Sequence, residues 1–351
     1  MKAAIPHMAN YSIPLSIIVD KIFGMEFLEI PNITKKTVEL GSKYSPDYIC
    51  SPFKFNLGNF IEALEKGADV LLQIKGSCRF GYYGELQSKI LKDLGYDFEF
   101  IYLENNLGIK KLYKMCKSYN KKLTFLQFVY YMKLCIVMTK KIDIFEFYMR
   151  KNIGFEINQG TMDKIHKEFL KELKVIRSYY KLNKCFKKYY KLLKEVKLKK
   201  DDDCLKVLII GELYTVMETN SNHHIELELA KMKVEVIRYI DLSYLIFENM
   251  QSDKKVLPIV KNIVKYPLGA SATDNVSKTL TYENIDGIIH IKSSFCTPEV
   301  DATVMIQKIA GERNIPTIHF SFDTETENAG IITRIEAFYD MIKLKKGGNN
   351  I

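Results

Sequence analysis

Seven cysteines are spread through this chain of 351 residues, and three of them stand in loop patterns rather than in periodic segments. Cys50 lies in Tyr48-Ile49-Cys50-Ser51-Pro52, just ahead of a helical pattern. Cys78 lies in Gly76-Ser77-Cys78-Arg79-Phe80-Gly81-Tyr82-Tyr83, between a strand pattern ending near Ile74 and the next helix. Cys296 lies in Ser293-Ser294-Phe295-Cys296-Thr297-Pro298-Glu299, between a strand pattern over Gly287–Ile291 and its helix. At least two of these thiols leave the carboxyl end of a strand, the edge at which open α/β sheets bind ligands. Thr297-Pro298-Glu299 reads as a helix start, with Thr297 at the N-cap, proline at N1 and then an acid. Cys296 just before it feels the positive helix end, which favours thiolate, and Arg79 acts likewise on Cys78. Thiolates are the ligands that metals and iron–sulfur clusters require. Cys116, Cys135, Cys185 and Cys204 fall inside helical or strand patterns and read as buried structural thiols.

An odd cysteine count in a long chain argues against a disulfide framework. With no Cys-x-x-Cys pair, a zinc ribbon is not expected, and spacings of 28 and 218 residues are too wide for a ferredoxin pattern. Two readings stay open on chemistry alone: a three-thiolate metal site spanning two domains, or three unrelated loop cysteines. The first requires Cys50, Cys78 and Cys296 to converge at the carboxyl ends of strands between the domains. Further candidates are His7, which follows the first strand with Asn10, lines the same edge and acts either as a proton donor or a group supporting the ligands from behind, or as a loop cap, and Glu212, which follows the strand ending at Gly211 and is expected to face the cleft between the domains. His290 ends an apolar strand and reads as a core histidine. His319 with Asp323, Glu325 and Glu327 is either a hard-metal site or a solvated loop. Tyr82 and Tyr83 either shield the cysteines from water or pack as ordinary aromatics.

The elements that position these residues alternate in kind. Strand patterns over Lys2–Ile5, Phe27–Ile30, Asp69–Ile74 and Phe98–Leu103 are interleaved with helical patterns near Ser12–Phe23, Thr34–Lys43, Phe55–Lys66 and Gly84–Leu94. Such alternation predicts an α/β fold with a parallel sheet covered on both faces. The pattern changes over 108–200, where Leu123–Met138, Ile142–Met149 and Ile165–Leu193 keep helical spacing and proline is absent. Alternation resumes from Asp201, with strands over Cys204–Ile210, Val234–Tyr239, Gly287–Ile291 and Pro316–Phe320. Helical patterns run over Asn222–Lys231, Ser271–Tyr282, Pro298–Ala310 and Ala329–Ile342. The expectation is therefore two Rossmann-like parallel-sheet domains separated by a helical insert: 1–104, a Lys-rich helical subdomain over 105–200, and 201–351.

Composition narrows the partners. Hydrophobic residues at 47% and charged residues at 27% fit a globular protein and exclude global disorder. No apolar run approaches the ~18–20 residues of a membrane helix, and no signal peptide is evident, so a cytoplasmic protein with no membrane partner is expected. The net charge of +10 is local: residues 108–200 hold 25 Lys+Arg against 7 Asp+Glu, leaving a net acidic remainder. No base-reading motif accompanies that charge, so solvated helix faces rather than a nucleic-acid surface are expected.

Pro6-His7-Met8-Ala9-Asn10, the segment Leu57 to Asp69, Cys78-Arg79-Phe80-Gly81-Tyr82-Tyr83-Gly84-Glu85, Gly211-Glu212, Phe295-Cys296-Thr297-Pro298-Glu299, and Asp323 with Arg334-Ile335-Glu336-Ala337-Phe338 together carry a family resemblance. The sequence resembles the 2-hydroxyacyl-CoA dehydratase component D superfamily. Within it, the CoA protein activase or acyl-CoA dehydratase activase-related branch is the most similar. The resemblance covers both α/β domains apart from the helical block. It implies an iron–sulfur protein of anaerobic bacteria, with a [4Fe-4S] or double-cubane cluster on Cys50, Cys78 and Cys296. It also implies an ATP-dependent activator as electron donor and, where two chains share a larger cluster, a homodimer. In dehydratases of this type the electron produces a ketyl radical that expels the hydroxyl of a 2-hydroxyacyl-CoA, whereas related double-cubane proteins reduce small molecules. The implied role is thus a dehydratase-like lyase or reductase; the alternative is a non-enzymatic electron relay or scaffold partner. Where the family often has Gly-Pro-Cys, this chain has Gly76-Ser77-Cys78. It has no GxxxxGK[ST] loop, which assigns ATP hydrolysis to another polypeptide.

Overall fold

Short strands of Val, Ile and Leu separated by amphipathic helices fold here into two parallel sheets. The computed structural model describes residues 1–76, 78–104, 107–249, 252–324 and 328–348. Ser77 of the second cysteine loop, and Glu325 and Glu327 of the acidic group near His319, lie outside the described residues. The chain divides into two compact units, Met1–Lys141 with Leu170–Lys184, and Ile142–Phe169 with Cys185–Ile351. The helical stretch expected over 105–200 is shared between them.

In chain order, β1 (Lys2–Ala4) leads to α1 (Ser12–Ile17), prolonged as a π-helix over Ile18–Phe23, and to β2 (Glu26–Phe27). Then come α2 (Lys35–Tyr44), α3 (Ser51–Glu65), β3 (Val70–Ile74), α4 (Tyr83–Asp93) and β4 (Glu99–Leu103). Helices α5 (Ile109–Tyr119), α6 (Phe125–Asn152), α7 (Thr161–Leu173) and α8 (Tyr179–Glu195) follow. The remainder runs β5 (Lys206–Gly211), α9 (Leu213–Met217), α10 (Ile225–Lys231), β6 (Glu235–Arg238), α11 (Leu242–Phe247), α12 (Ser252–Val260) and α13 (Ala272–Thr281). It ends with β7 (Gly287–Ser293), α14 (Thr297–Glu312), β8 (Thr317–Phe322) and α15 (Asn328–Gly348). The two apolar patterns expected at 123–138 and 142–149 are one helix, α6. Most Lys and Arg side chains of 108–200 are exposed, as solvated helix faces require; Arg150 is buried and paired with Glu146 at 3.5 Å.

Both sheets are wholly parallel and share one strand order, β2-β1-β3-β4 and β6-β5-β7-β8. In each, the first strand lies beside the third, so the chain leaves the sheet in opposite directions at β1/β3 and at β5/β7. That is the switch point at which α/β sheets open a crevice beyond their carboxyl ends. Alternation along the strands sends residues to both faces. In the first sheet Ala4 and Leu71 join Phe53, Leu57 and Phe60 of α3 in one core. Ala3, Val70 and Leu72 meet Ile22, Phe23 and Phe128 in another. In the second sheet Leu208, Ile210 and Ile288 pack against Val276 of α13 and Ala302 and Ile306 of α14.

Two glycines set how closely α2 approaches α3. A Cβ on Gly41 would lie 1.9 Å from the Lys54 carbonyl oxygen, and one on Gly58 would lie 2.0 Å from that of Thr37. Backbone therefore meets backbone, and the contact is tied by the Thr37 hydroxyl donating to Glu62 at 2.6 Å. This packing holds α3, and hence the cysteine at its head. Gly58→Ala is expected to overpack the crossing and destabilise the first unit by about 1–3 kcal/mol. Urea unfolding followed by circular dichroism checks it, the expected result being a lower midpoint for the variant with an unchanged m-value.

Candidate functional site

Cys50, Cys78 and Cys296 each occupy the N-cap of a helix. Cys50 heads α3, with extended backbone (φ −67°, ψ 150°) and proline in the first turn. Cys78 heads a short 3₁₀ helix over Arg79–Tyr82 that runs into α4. Cys296 heads α14, again with proline in the first turn, so the helix begins one residue earlier than its Thr297-Pro298-Glu299 signature suggested. Neither Cys50 nor Cys296 caps its helix with its side chain, whereas the Cys78 sulfur accepts from the Phe80 amide at 3.4 Å. First-turn N–H groups have no partner within a helix and carry its positive end, so a sulfur at this position is placed beside an electropositive backbone. The other cysteines differ. Cys116, Cys135 and Cys185 are buried inside α5, α6 and α8, and Cys204 precedes β5. Burial pushes the Cys116 and Cys135 thiols up to about 12. All seven cysteines are thiols rather than disulfides.

In the first unit, β1 ends before His7 and β3 before the Cys78 loop, on either side of the switch point. The His7 backbone amide donates to the Asn59 side chain of α3 at 3.0 Å, which fixes the loop after β1. Tyr83, the first residue of α4, is 4% exposed, and its hydroxyl lies 2.5 Å from the Cys50 sulfur. Burial, followed by the negative charge of Cys50, holds the Tyr83 hydroxyl far above the usual tyrosine range; Cys78 adds to the effect and Arg79 opposes it. Tyr82 is 73% exposed. The two adjacent tyrosines thus have unlike environments, Tyr83 buried against the Cys50 sulfur and Tyr82 exposed.

In the second unit, Cys296 is buried, and its backbone is pinned by its amide to Ser293 at 3.0 Å and by its carbonyl to Val300 at 3.0 Å. Lys292 of β7 is partly buried; that burial lowers its ammonium, while the charges of Cys296 and Glu299 act in the opposite sense. Beneath lies a closed polar network. His290 and Glu299 are both 0% exposed and meet at 2.8 Å through Nε2 and Oε2. Asn275 donates to both Glu299 oxygens at 2.9 Å and to the Gly211 carbonyl at 3.0 Å, while its Oδ1 accepts from the Gly211 amide at 3.2 Å. Gly211 has φ +145°, and a Cβ there would lie 1.8 Å from the Ile291 carbonyl oxygen, so only glycine fits. The other nitrogen of His290 meets His319 Nδ1 at 3.0 Å. Each of these two histidine contacts needs one hydrogen, so the His290 ring is oriented at both nitrogens.

Glu212 is the N-cap of α9. Its carboxylate accepts from the amides of Tyr214 and Thr215, at 3.0 and 2.8 Å, and from the Thr215 hydroxyl at 2.6 Å. Burial raises its carboxyl and these bonds oppose that rise. Its side chain is thus engaged in starting a helix. Cys50 and Cys78 belong to the first unit, where Tyr83 meets the Cys50 sulfur and Phe80 of the Cys78 loop, whereas Cys296 belongs to the second. Among the described residues of either unit, no three His, Cys, Asp or Glu side chains gather to hold a metal ion. The donor chemistry nevertheless fits an iron–sulfur cluster: three thiols at electropositive helix ends, with a lysine near one and a hydroxyl against another. Sequence reasoning missed Lys292 and Asn275. The alternation that places residues 290 and 292 on one strand face was the available signal for the first; nothing local marks the second.

Residues 104–342 match the family described as 2-hydroxyglutaryl-CoA dehydratase, D-component. The span covers more than half of the chain and includes the helical stretch that the motifs had left out. Of the three loop cysteines it contains Cys296; Cys50 and Cys78 lie before it. No curated protein matches the chain.

The histidine pair makes stability depend on pH. Burial pushes His319 down to about 4, with the positive charges of His290, Lys292 and Arg334 adding to the effect. The unfolded chain, with a histidine pKa of about 6.5, binds that proton more readily. The stabilisation from His319 is therefore complete above about pH 6.5 and is lost as pH falls toward 4. Urea midpoints at pH 7 and pH 5 check this in wild type and His319→Asn. The wild type is expected to lose more between the two pH values, whatever offset the variant has at pH 7. Equal losses would refute it.

Proposed function

Because this chain belongs to the 2-hydroxyglutaryl-CoA dehydratase D-component family, we propose that it is an iron–sulfur redox subunit whose Cys50, Cys78 and Cys296 hold a [4Fe-4S] or double-cubane cluster. When bound, such a cluster supplies one-electron chemistry at low potential, fed by a separate ATP-dependent activator. The observation that carries the reading is that these three cysteines, and none of the other four, head helices. A thiol ligand must lose its proton, and positive helix ends together with Lys292 near Cys296 favour that loss. The peptide N–H groups of the first turns can then donate to anionic sulfur, as the Phe80 amide does to Cys78.

The chain's own residues also keep the ligand loops rigid. Asn59 fixes the end of β1. Asn275 and Glu299 fix the start of α14 against β5. Tyr83 and Phe53 wall the Cys50 side, with ring centroids 4.9 Å apart and planes at 90°. Placement in the activase-related branch, a homodimer sharing one larger cluster, and a cytoplasmic location belong to the same proposal.

Anaerobic purification, with iron and acid-labile sulfide measured per chain, tests it. The wild type should carry stoichiometric iron and sulfide. Cys78→Ala and Cys296→Ala should each lose most of it while keeping their circular dichroism spectra, and Cys116→Ala should retain it. An iron-free wild type after anaerobic reconstitution, or full iron in Cys78→Ala, would overturn the proposal.

A further inference from the structure

Tyr83 is held by both cysteine loops of the first unit. Its ring stacks edge-on against Phe53, three residues beyond Cys50, at 4.9 Å. On another side it meets Phe80, two residues beyond Cys78, at 5.3 Å. The ring thus sits in a slot whose walls move only if the loops move. Its hydroxyl lies 2.5 Å from the Cys50 sulfur, across 33 residues of sequence. The residue as a whole is buried, at 4% exposure. Either atom donates while Cys50 is a thiol. A sulfur bound to iron has no proton, so the hydroxyl is then the donor and the sulfur the acceptor.

On the iron–sulfur reading above, we infer that Tyr83 is a positioning residue that aims the Cys50 sulfur and, by donating a hydrogen bond to it, raises the reduction potential of the bound cluster. The argument is electrostatic. A hydrogen bond to anionic sulfur strengthens as negative charge on that sulfur grows. Reduction adds charge to the cluster and its thiolates, so the donor favours the reduced state, and hydrogen bonds to the sulfurs are among the factors that set such potentials. Burial amplifies the effect, because the local dielectric is low. Tyr83→Phe keeps the ring, its aromatic neighbours and the slot, and removes only the O–H.

The test is an anaerobic potentiometric titration of reconstituted protein, followed by visible absorption and electron paramagnetic resonance, with iron measured on the same samples. Tyr83→Phe should keep most of its iron and titrate at a more negative potential. The shift expected is on the order of a tenfold change in the reduction equilibrium, ~59 mV for a one-electron couple. Tyr82→Phe, at an exposed neighbour, should titrate with the wild type. Replacing residue 83 alone by 3-fluorotyrosine keeps the side chain's shape and makes the hydroxyl a stronger donor, so the potential should move the other way. This second variant decides the matter even if Tyr83→Phe fails to fold. Iron-loaded wild type with an unmoved potential in Tyr83→Phe, or a fluorotyrosine shift of the same sign as the Phe shift, would overturn this inference and leave the parent reading standing. A wild type that takes up no iron would overturn both.

Discussion

Each sheet depends on a buried asparagine that reaches the backbone where its first strand ends. Asn59 of α3 receives the His7 amide, and Asn275 of α13 receives the Gly211 amide and donates to the Gly211 carbonyl. At these ends the neighbouring strands send their connections apart, which leaves backbone groups inside the protein without a ladder partner. A buried group left unpaired costs roughly 1–3 kcal/mol, so the side-chain amide supplies what the sheet does not. Both asparagines stand on the helix that leads into the adjacent strand. The bond therefore locks that helix to the sheet edge as well as satisfying the peptide. In the first unit the locked helix carries Cys50 at its head. In the second, the same asparagine grips Glu299, three residues into the helix headed by Cys296. The helices headed by Cys50 and Cys296 are thus held by interactions that involve no sulfur, whereas the Cys78 sulfur itself accepts from the Phe80 amide.

The charge of the chain has a different logic from its site. Its excess of lysine lies on solvent-facing surfaces of α5 to α8, whereas the charged side chains that matter locally are few and buried or half-buried: Lys292 and Glu299. Net charge describes the surface. The field at the cysteines comes from helix ends and single side chains, which act over short range in a medium that screens poorly.

Much of the fold was legible because strand and helix periods differ so plainly in this sequence. The loop placement of Cys50, Cys78 and Cys296 followed from those periods. The start of α3 did not. The apolar helical pattern begins at Phe55, yet proline is at home in a first helical turn, so α3 starts at Ser51 and Cys50 becomes the N-cap. Helix α9 has only five residues, too few to show a period, and so the capping role of Glu212 was invisible. His290 was read as a core histidine and is fully buried, but its partner Glu299 lies on the next helix and His319 on the next strand. Contacts of this kind, like that of Tyr83 with Cys50, join segments that periodicity treats separately. Only the assembled packing reveals them.

The burial of Cys116, Cys135 and Cys185 has a consequence for the life history of the protein. In an unfolded chain all seven thiols compete for any soft metal ion, and the nearest in sequence win, because short loops close at lower entropic cost. Cys50 and Cys296 are 246 residues apart and would rarely be captured together. Once the cores have closed, three of the competing sulfurs are hidden behind packed side chains, with two of their thiols pushed up to about 12. Folding thereby narrows the competition for metal by withdrawing Cys116, Cys135 and Cys185, while Cys204 stays half-buried and the proposed ligand Cys296 is itself buried. On the proposed reading, the distant pair Cys50 and Cys296 can act together on one cluster only once the chain has folded, so metal capture by near neighbours in sequence is the competing outcome before then.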